Sequence, residues 1–176
     1  MLRPMELFVR TLKASRRVST PLIAIRTADP ALAAARIADV AGKDAAILRW
    51  DSVRGLVKVN EQGNREIAKI IGERSPASVG PVDALVFAAE LCEDSILVYD
   101  NAQRFWDNAE VAQAIWNLRD VFKANGRTLA LLTTPGAVLP PELAQDVLVL
   151  DEPLPAEEDL SRILEDTIEA ADLPAL

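Results

Sequence analysis

Histidine is absent from this 176-residue chain, and cysteine occurs once, at Cys92. Without histidine, the usual zinc sites and His-based catalytic triads are excluded, and a single thiol excludes an internal disulfide. Cys92 stands in an apolar context and reads as a buried small hydrophobe rather than a nucleophile. Aromatic residues make up only 5% of a chain that is 50% hydrophobic, so Ala, Leu, Val and Ile carry the core. That mixture favours a sheet covered by Ala-rich helices over a β-sandwich. No apolar run approaches the roughly 18 residues of a membrane span, and the N-terminus has no signal-peptide core. The expectation is a cytoplasmic protein with no membrane partner. Acidic residues outnumber basic ones 27 to 19, for a net charge of −8. That balance argues against a nucleic-acid partner, because neutralising phosphates needs a basic surface.

The charge is unevenly spread. Residues 1–20 hold five basic side chains (Arg3, Arg10, Lys13, Arg16, Arg17) and one acid, whereas residues 151–176 hold nine acids and only Arg162. The two ends are either solvated helix faces or complementary surfaces that pair within one molecule or between subunits.

Leu2, Met5, Leu7, Phe8 and Leu12 repeat at helical spacing and predict a basic amphipathic helix over 1–20. Ser19-Thr20-Pro21 stops it, and Leu22 to Ile25 is a short buried strand. Thr27 or Asp29 caps the next helix, with Pro30 at its first position and Gly42 past its end. Ala45 to Asp51 reads as a second strand, and Ser52 to Val57 as a turn and a short strand. Asn60 to Asn64 reads as a polar turn, and Arg65 to Arg74 as a short helix or excursion. A helix over Val82–Glu90 precedes the central strand Ile96–Asp100. Val111, Ile115, Leu118 and Phe122 form one stripe of a helix over Ala109–Ala124. Leu129–Leu132 and Val147–Leu150 are the last strands, with a short helix beginning at Glu142-Leu143 between them and an acidic helix over 156–176 after them. This order predicts a three-layer α/β fold, a mostly parallel five-stranded sheet with helices on both faces over 21–155.

In open α/β sheets, ligands sit at the carboxyl ends of the strands. Here those ends carry Asp100 and Asn101 on one strand and Thr133 and Thr134 on another. Asp100 suits either a cation ligand or a cap for the following helix, and no second ligand stands near it in sequence. Thr133 and Thr134 suit either a nucleotide contact or the turn into Pro135-Gly136. A phosphate-binding loop would need Gly-x-x-x-x-Gly-Lys-Ser/Thr, glycines letting backbone N–H groups wrap the phosphates. The first strand is followed instead by Arg26-Thr27-Ala28-Asp29-Pro30, without glycine or lysine and with an acid where phosphate would lie. No catalytic residue and no metal site emerges. Trp50, Trp106 and Trp116 read as core or interface anchors, and Arg104-Phe105-Trp106 as a partner surface directly after the Asp100 strand. Arg54 and Arg49 either act on a neighbouring subunit's nucleotide or are solvated or ion-paired. A carboxylate-based hydrolase using Asp51 and Asp100 is a third option, since the two strand ends can be neighbours.

From Leu22 onward the chain resembles an AAA-type P-loop ATPase module. Ile96-Leu97-Val98-Tyr99-Asp100-Asn101 resembles its Walker B strand, and Leu129 to Pro135 its sensor-1 strand. Leu139-Pro140-Pro141-Glu142-Leu143 is similar to the segment that follows, and Val147 to Glu158 to the last strand and its exit toward a helical lid. More narrowly, Thr20 to Ile25 without a glycine loop, Trp50-Asp51 with Arg54-Gly55-Leu56, and Pro153-Leu154-Pro155 resemble the degenerate N-terminal module of cyanobacterial and chloroplast reading-frame AAA proteins. In those, a module without Walker A precedes an intact ATPase module. Asn101 stands where Walker B would place its glutamate, and no arginine-finger segment follows Leu143. The resemblance therefore implies a non-catalytic, Walker-A-less module with no cofactor of its own, while a linked or partner module uses ATP and magnesium. It implies a protein partner or a ring-like homo-oligomer, and a chain that continues beyond residue 176. The alternative is a freestanding protein-protein interaction module on an ATPase-like scaffold.

Overall fold

The computed structural model describes residues 3–155 and, in the C-terminal segment, Leu160, Ser161, Leu164 and Ile168. Those four residues are helical; the rest of the expected acidic helix over 156–176, and any pairing of it with the basic N-terminus, lies outside the described residues.

Two helices cover one face of the sheet. Helix α1 (Pro4–Arg17) buries Phe8 and Leu12, and α2 (Pro30–Ala41) buries Ala33, Ala34 and Ile37. Strand β1 (Leu22–Arg26) runs between them in sequence. Strand β2 (Ile47–Asp51) turns back into β3 (Gly55–Lys58). Helices α3 (Glu61–Ile71) and α4 (Pro81–Ala88) follow, then strand β4 (Ile96–Tyr99). Helix α5 (Ala109–Ala124), β5 (Thr128–Thr133) and β6 (Leu148–Asp151) complete the order. The strands lie side by side as β3-β2-β4-β5-β1-β6. All pairings are parallel except β2 with β3.

The period-two alternation of the strands divides the core in two. Ile23, Ile25, Ile47, Ile96, Val98, Ala130 and Leu132 face α1 and α2. Leu22, Leu48, Trp50, Leu97, Tyr99, Leu129 and Leu131 face α3, α4 and α5. The result is the three-layer, mostly parallel sheet that the sequence predicts, with one more strand than expected. The sixth strand is β3, the short strand read within Ser52–Val57 but not counted in the expected sheet, an antiparallel edge that pairs Leu56 with Trp50 and buries it.

Several boundaries differ for physical reasons. Helix α3 begins at Glu61, inside the stretch read as a polar turn. Asn60 is its N-cap, accepting from Gly63 N–H at 2.8 Å while its amide donates to the Ala45 carbonyl at 2.7 Å. Residues 141–146 form turns, not a helix, closed by Leu143 and Ala144 N–H groups on the Pro140 carbonyl. Cys92 is exposed rather than buried. It sits in the polar turn between α4 and β4, where its backbone N–H donates to Glu66 at 2.9 Å.

Arg16 fixes α1 to the amino-terminal edge of the sheet. Its guanidinium donates to Gly126 O and Thr128 Oγ1 at 2.7 Å each and to Asp94 O at 2.8 Å. Burial lowers its pKa, partly countered by the nearby Asp94 charge.

Candidate functional site

Parallel strands bring their carboxyl ends to one edge, which collects Arg26, Asp51, Asp100, Thr133 and Asp151 within adjacent registers. Each group there already has a partner inside the protein or a structural task.

Asp100 follows β4 and is 5% exposed. Its Oδ2 accepts from Arg49 Nε of the neighbouring β2 at 2.7 Å. Its other oxygen, Oδ1, is buried without a hydrogen-bond partner among the described residues. Burial pushes the Asp100 carboxyl up, against the opposing pull of Arg49, and the negative charge of Asp51 adds to the rise. Asp51 behaves oppositely. Burial works to raise it, but hydrogen bonds from the Arg54 backbone and side chain and from Val53 N–H outweigh burial, and its carboxyl lies below the ordinary range. Arg54 Nε meets Asp51 Oδ2 at 2.6 Å, so the turn from β2 to β3 is closed by an internal ion pair. Both arginines are thus ion-paired within the chain, Arg49 largely buried and Arg54 with 59% of its side chain exposed.

Asn101 adopts a left-handed backbone, φ 51°, and opens a 3-10 turn over Ala102–Phe105. Asparagine tolerates that conformation better than most residues. It is exposed, as is Thr134, whereas Thr133 is buried at the end of β5. The Thr133 carbonyl accepts from Thr27 N–H at 2.9 Å, which ties the turn after β1 to the β5 end.

That turn is the feature of the edge that sequence spacing could not supply in full. Asp29 caps α2, its Oδ1 accepting from Ala31 and Leu32 N–H at 3.1 and 3.0 Å. Thr27 Oγ1 accepts from Asp29 N–H at 2.9 Å and donates to Glu152. Arg36, nearly two turns into α2, donates to the other oxygen of Glu152, whose side chain is only 5% exposed. Glu152 N–H in turn donates to the Arg26 carbonyl at 2.9 Å. Arg26 Nε reaches Ala137 O at 2.8 Å and its guanidinium meets Asp151 at 3.3 Å. The amino-terminal end of α2 therefore faces two carboxylates supplied by the chain. Glu152 stands 116 residues from Arg36, and no local pattern announces the pair.

The sequence model of the family described as SpoVK-like AAA ATPase, N-terminal domain, matches residues 8–152. The chain belongs to this family. The fold agrees with solved AAA-type relatives. AMPPCP-bound DnaA from Aquifex aeolicus is similar over 100% of this chain and 55% of its own, with TM-score 0.57 and 7% identity. Domain III of the Thermotoga maritima replication initiation protein DnaA is similar over 99% and 73%, with TM-score 0.58 and 11% identity. An Escherichia coli MS115-1 HORMA:CdnC:Trip13 complex contains a chain similar over 91% and 56%, with TM-score 0.53 and 16% identity. At such identities the likeness is one of fold. This AAA ATPase N-terminal domain spans about half the length of the first and third of these structures. No curated protein matches the chain.

Trp106, expected on a partner surface, is half-buried beside a cavity of about 540 Å³. Arg104 is exposed on the preceding 3-10 turn. Trp50 is fully buried, stacked on Tyr99 at 4.3 Å, with Nε1 donating to the Val79 carbonyl at 2.8 Å. Burial moves the Tyr99 phenol upward. No helix among the described residues is long and apolar enough to cross a membrane.

Proposed function

We propose that this domain is a non-catalytic, degenerate AAA module that assembles with, or regulates, an active ATPase module in the same protein or in a partner. The observation that carries this reading is the occupied end of α2. In phosphate-binding α/β proteins the first-turn amides and the helix dipole receive the anion. Here the Ala31 and Leu32 amides are engaged by Asp29, and Glu152 holds Thr27 and Arg36. A nucleotide phosphate does not suit a turn that already presents two carboxylates, since like charges at close range cost several kcal/mol. The Asp100 position supports the same reading. Its carboxylate is paired with Arg49, and the following residue is Asn101 rather than an acid able to position water.

The module then contributes surface and geometry, with ATP and magnesium used by the linked or partner module, in the manner of the cyanobacterial and chloroplast reading-frame proteins that the sequence resembles. Assembly as an AAA-type ring in the cytoplasm and the division into 1–20, 21–155 and 156–176 belong to the same proposal.

Calorimetry of this chain with ADP and with a non-hydrolysable ATP analogue, with and without magnesium, tests it. No saturable heat at millimolar nucleotide is the expected result. Binding tighter than about 10 μM, about 7 kcal/mol, would overturn it, as would ATP turnover abolished by Asp100→Ala.

A further inference from the structure

We propose that the cavity between the start of α5 and the turn after β5 is a docking site for a cationic side chain, arginine or lysine, presented by a peptide segment of the partner protein. The inference rests on the assembly reading above and names the chemistry of one contact. Trp106, Trp116, Gln113, Ala112, Asp107 and Glu142 line the cavity, whose volume is about 540 Å³. That volume falls within the range of ligand pockets and leaves room for a guanidinium and a neighbouring apolar side chain.

The charge complementarity of the site is specific. Two carboxylates, Asp107 before α5 and Glu142 after β5, face the cavity, both exposed and neither in a hydrogen bond or ion pair with a described residue. Two indoles complete the walls, and an aromatic face flanked by acids attracts a cation. The molecule already uses one of these rings in that way. The Arg119 guanidinium lies 4.8 Å from the Trp116 ring centroid while also bonding Asp120 and Asp146. Trp116 is 42% exposed, unusual for so large a side chain. Trp106 Nε1 is buried without an acceptor among the described residues, so no internal hydrogen bond fixes that ring. A reorientation that delivers this N–H to a carbonyl of the bound segment would recover a hydrogen bond. An acidic or wholly apolar segment would leave Asp107 and Glu142 beside a repelling or non-neutralising neighbour.

The probes are acetyl-Leu-Arg-Leu-amide and its citrulline and glutamate counterparts, titrated into the whole chain and followed by the three indole ¹H–¹⁵N signals. The expected result is saturable movement of the Trp106 and Trp116 signals by the Arg peptide, with Trp50 unmoved. About tenfold weaker binding is expected for the citrulline peptide and for the Asp107→Asn/Glu142→Gln variant, which alters exposed side chains only. Citrulline or glutamate peptides binding within twofold of the Arg peptide would overturn the proposal, as would unmoved Trp106 and Trp116 signals at millimolar peptide. Movement of the same signals with protein concentration alone would assign the cavity to a second copy and overturn the partner claim. Because these signals report a surface away from the α2 turn, failure here leaves the nucleotide calorimetry, and the reading it tests, standing.

Discussion

Arg49 Nε stands 2.7 Å from Asp100 Oδ2, joining two neighbouring strands through a pair whose side chains are 18% and 6% exposed. A largely buried pair adds little net stability over well-packed apolar residues, yet removing one member strands the other charge. Arg49→Leu is therefore expected to cost about 3 kcal/mol, read from urea unfolding. Arg49→Met with Asp100→Leu is expected to recover most of that loss. A double variant whose loss equals the sum of the Arg49→Met and Asp100→Leu losses would show that the pair is not coupled.

The same carboxyl makes an unusual pH prediction. Because the folded pKa of Asp100 is raised, its contribution to stability is fully present below the unfolded value, about 4, and is lost as pH rises through the folded value. Asp51, held low, contributes in the opposite sense, present above the unfolded value and lost as pH falls through its folded value. Stability differences between the natural chain and Asp100→Asn should shrink with rising pH from about 4 upward. Those for Asp51→Asn should grow over the range just below it. Parallel pH profiles for the two variants would contradict the opposed environments.

Gly63 lies in the second half of the first turn of α3, where alanine would ordinarily strengthen a helix by up to about 1 kcal/mol. Here a Cβ would come within 2.1 Å of the Ile47 carbonyl oxygen. Gly63→Ala is expected to destabilise by about 2 kcal/mol or more, measured by thermal melting. A stabilised variant would mean that α3 does not pack this closely on β2.

Trp50 binds the aromatic cluster of Tyr99 and Phe105 and donates to Val79 O. Trp50→Ala is expected to cost about 3–5 kcal/mol. Trp50→Phe should cost less, with much of its loss coming from the Val79 carbonyl left without its donor. Equal losses would place the whole effect in the hydrogen bond that both variants lack, not in packing.

The periodic elements were legible because their signals are local. The α5 stripe of Val111, Ile115, Leu118 and Phe122 is buried as expected, and the helix spans the predicted residues. The apolar runs that became β1, β4 and β5 stand where expected because full burial on both faces leaves no polar alternation to mislead. Local chemistry misleads where a distant partner decides. Asn60 reads as turn-forming, but its amide is held by Ala45 and so caps a helix instead. Cys92 reads as apolar from its neighbours, yet it falls in a turn that burial bypasses. At the strand ends, Asp100 and Thr133 were visible as run terminators, while the partners that define them were not. Arg49 is one strand away and Glu152 more than a hundred residues from Arg36.

The carboxylates of Asp29 and Glu152 at the head of α2 are tethered to the chain. A dissociable anion would make the energy of that corner depend on how much of it the surroundings supply. A covalent one holds its effective concentration constant whatever the surroundings supply. Under the function proposed above, a subunit built on such a corner would serve an assembly as a stator, giving the same mechanical reference at every stage of its partners' cycle.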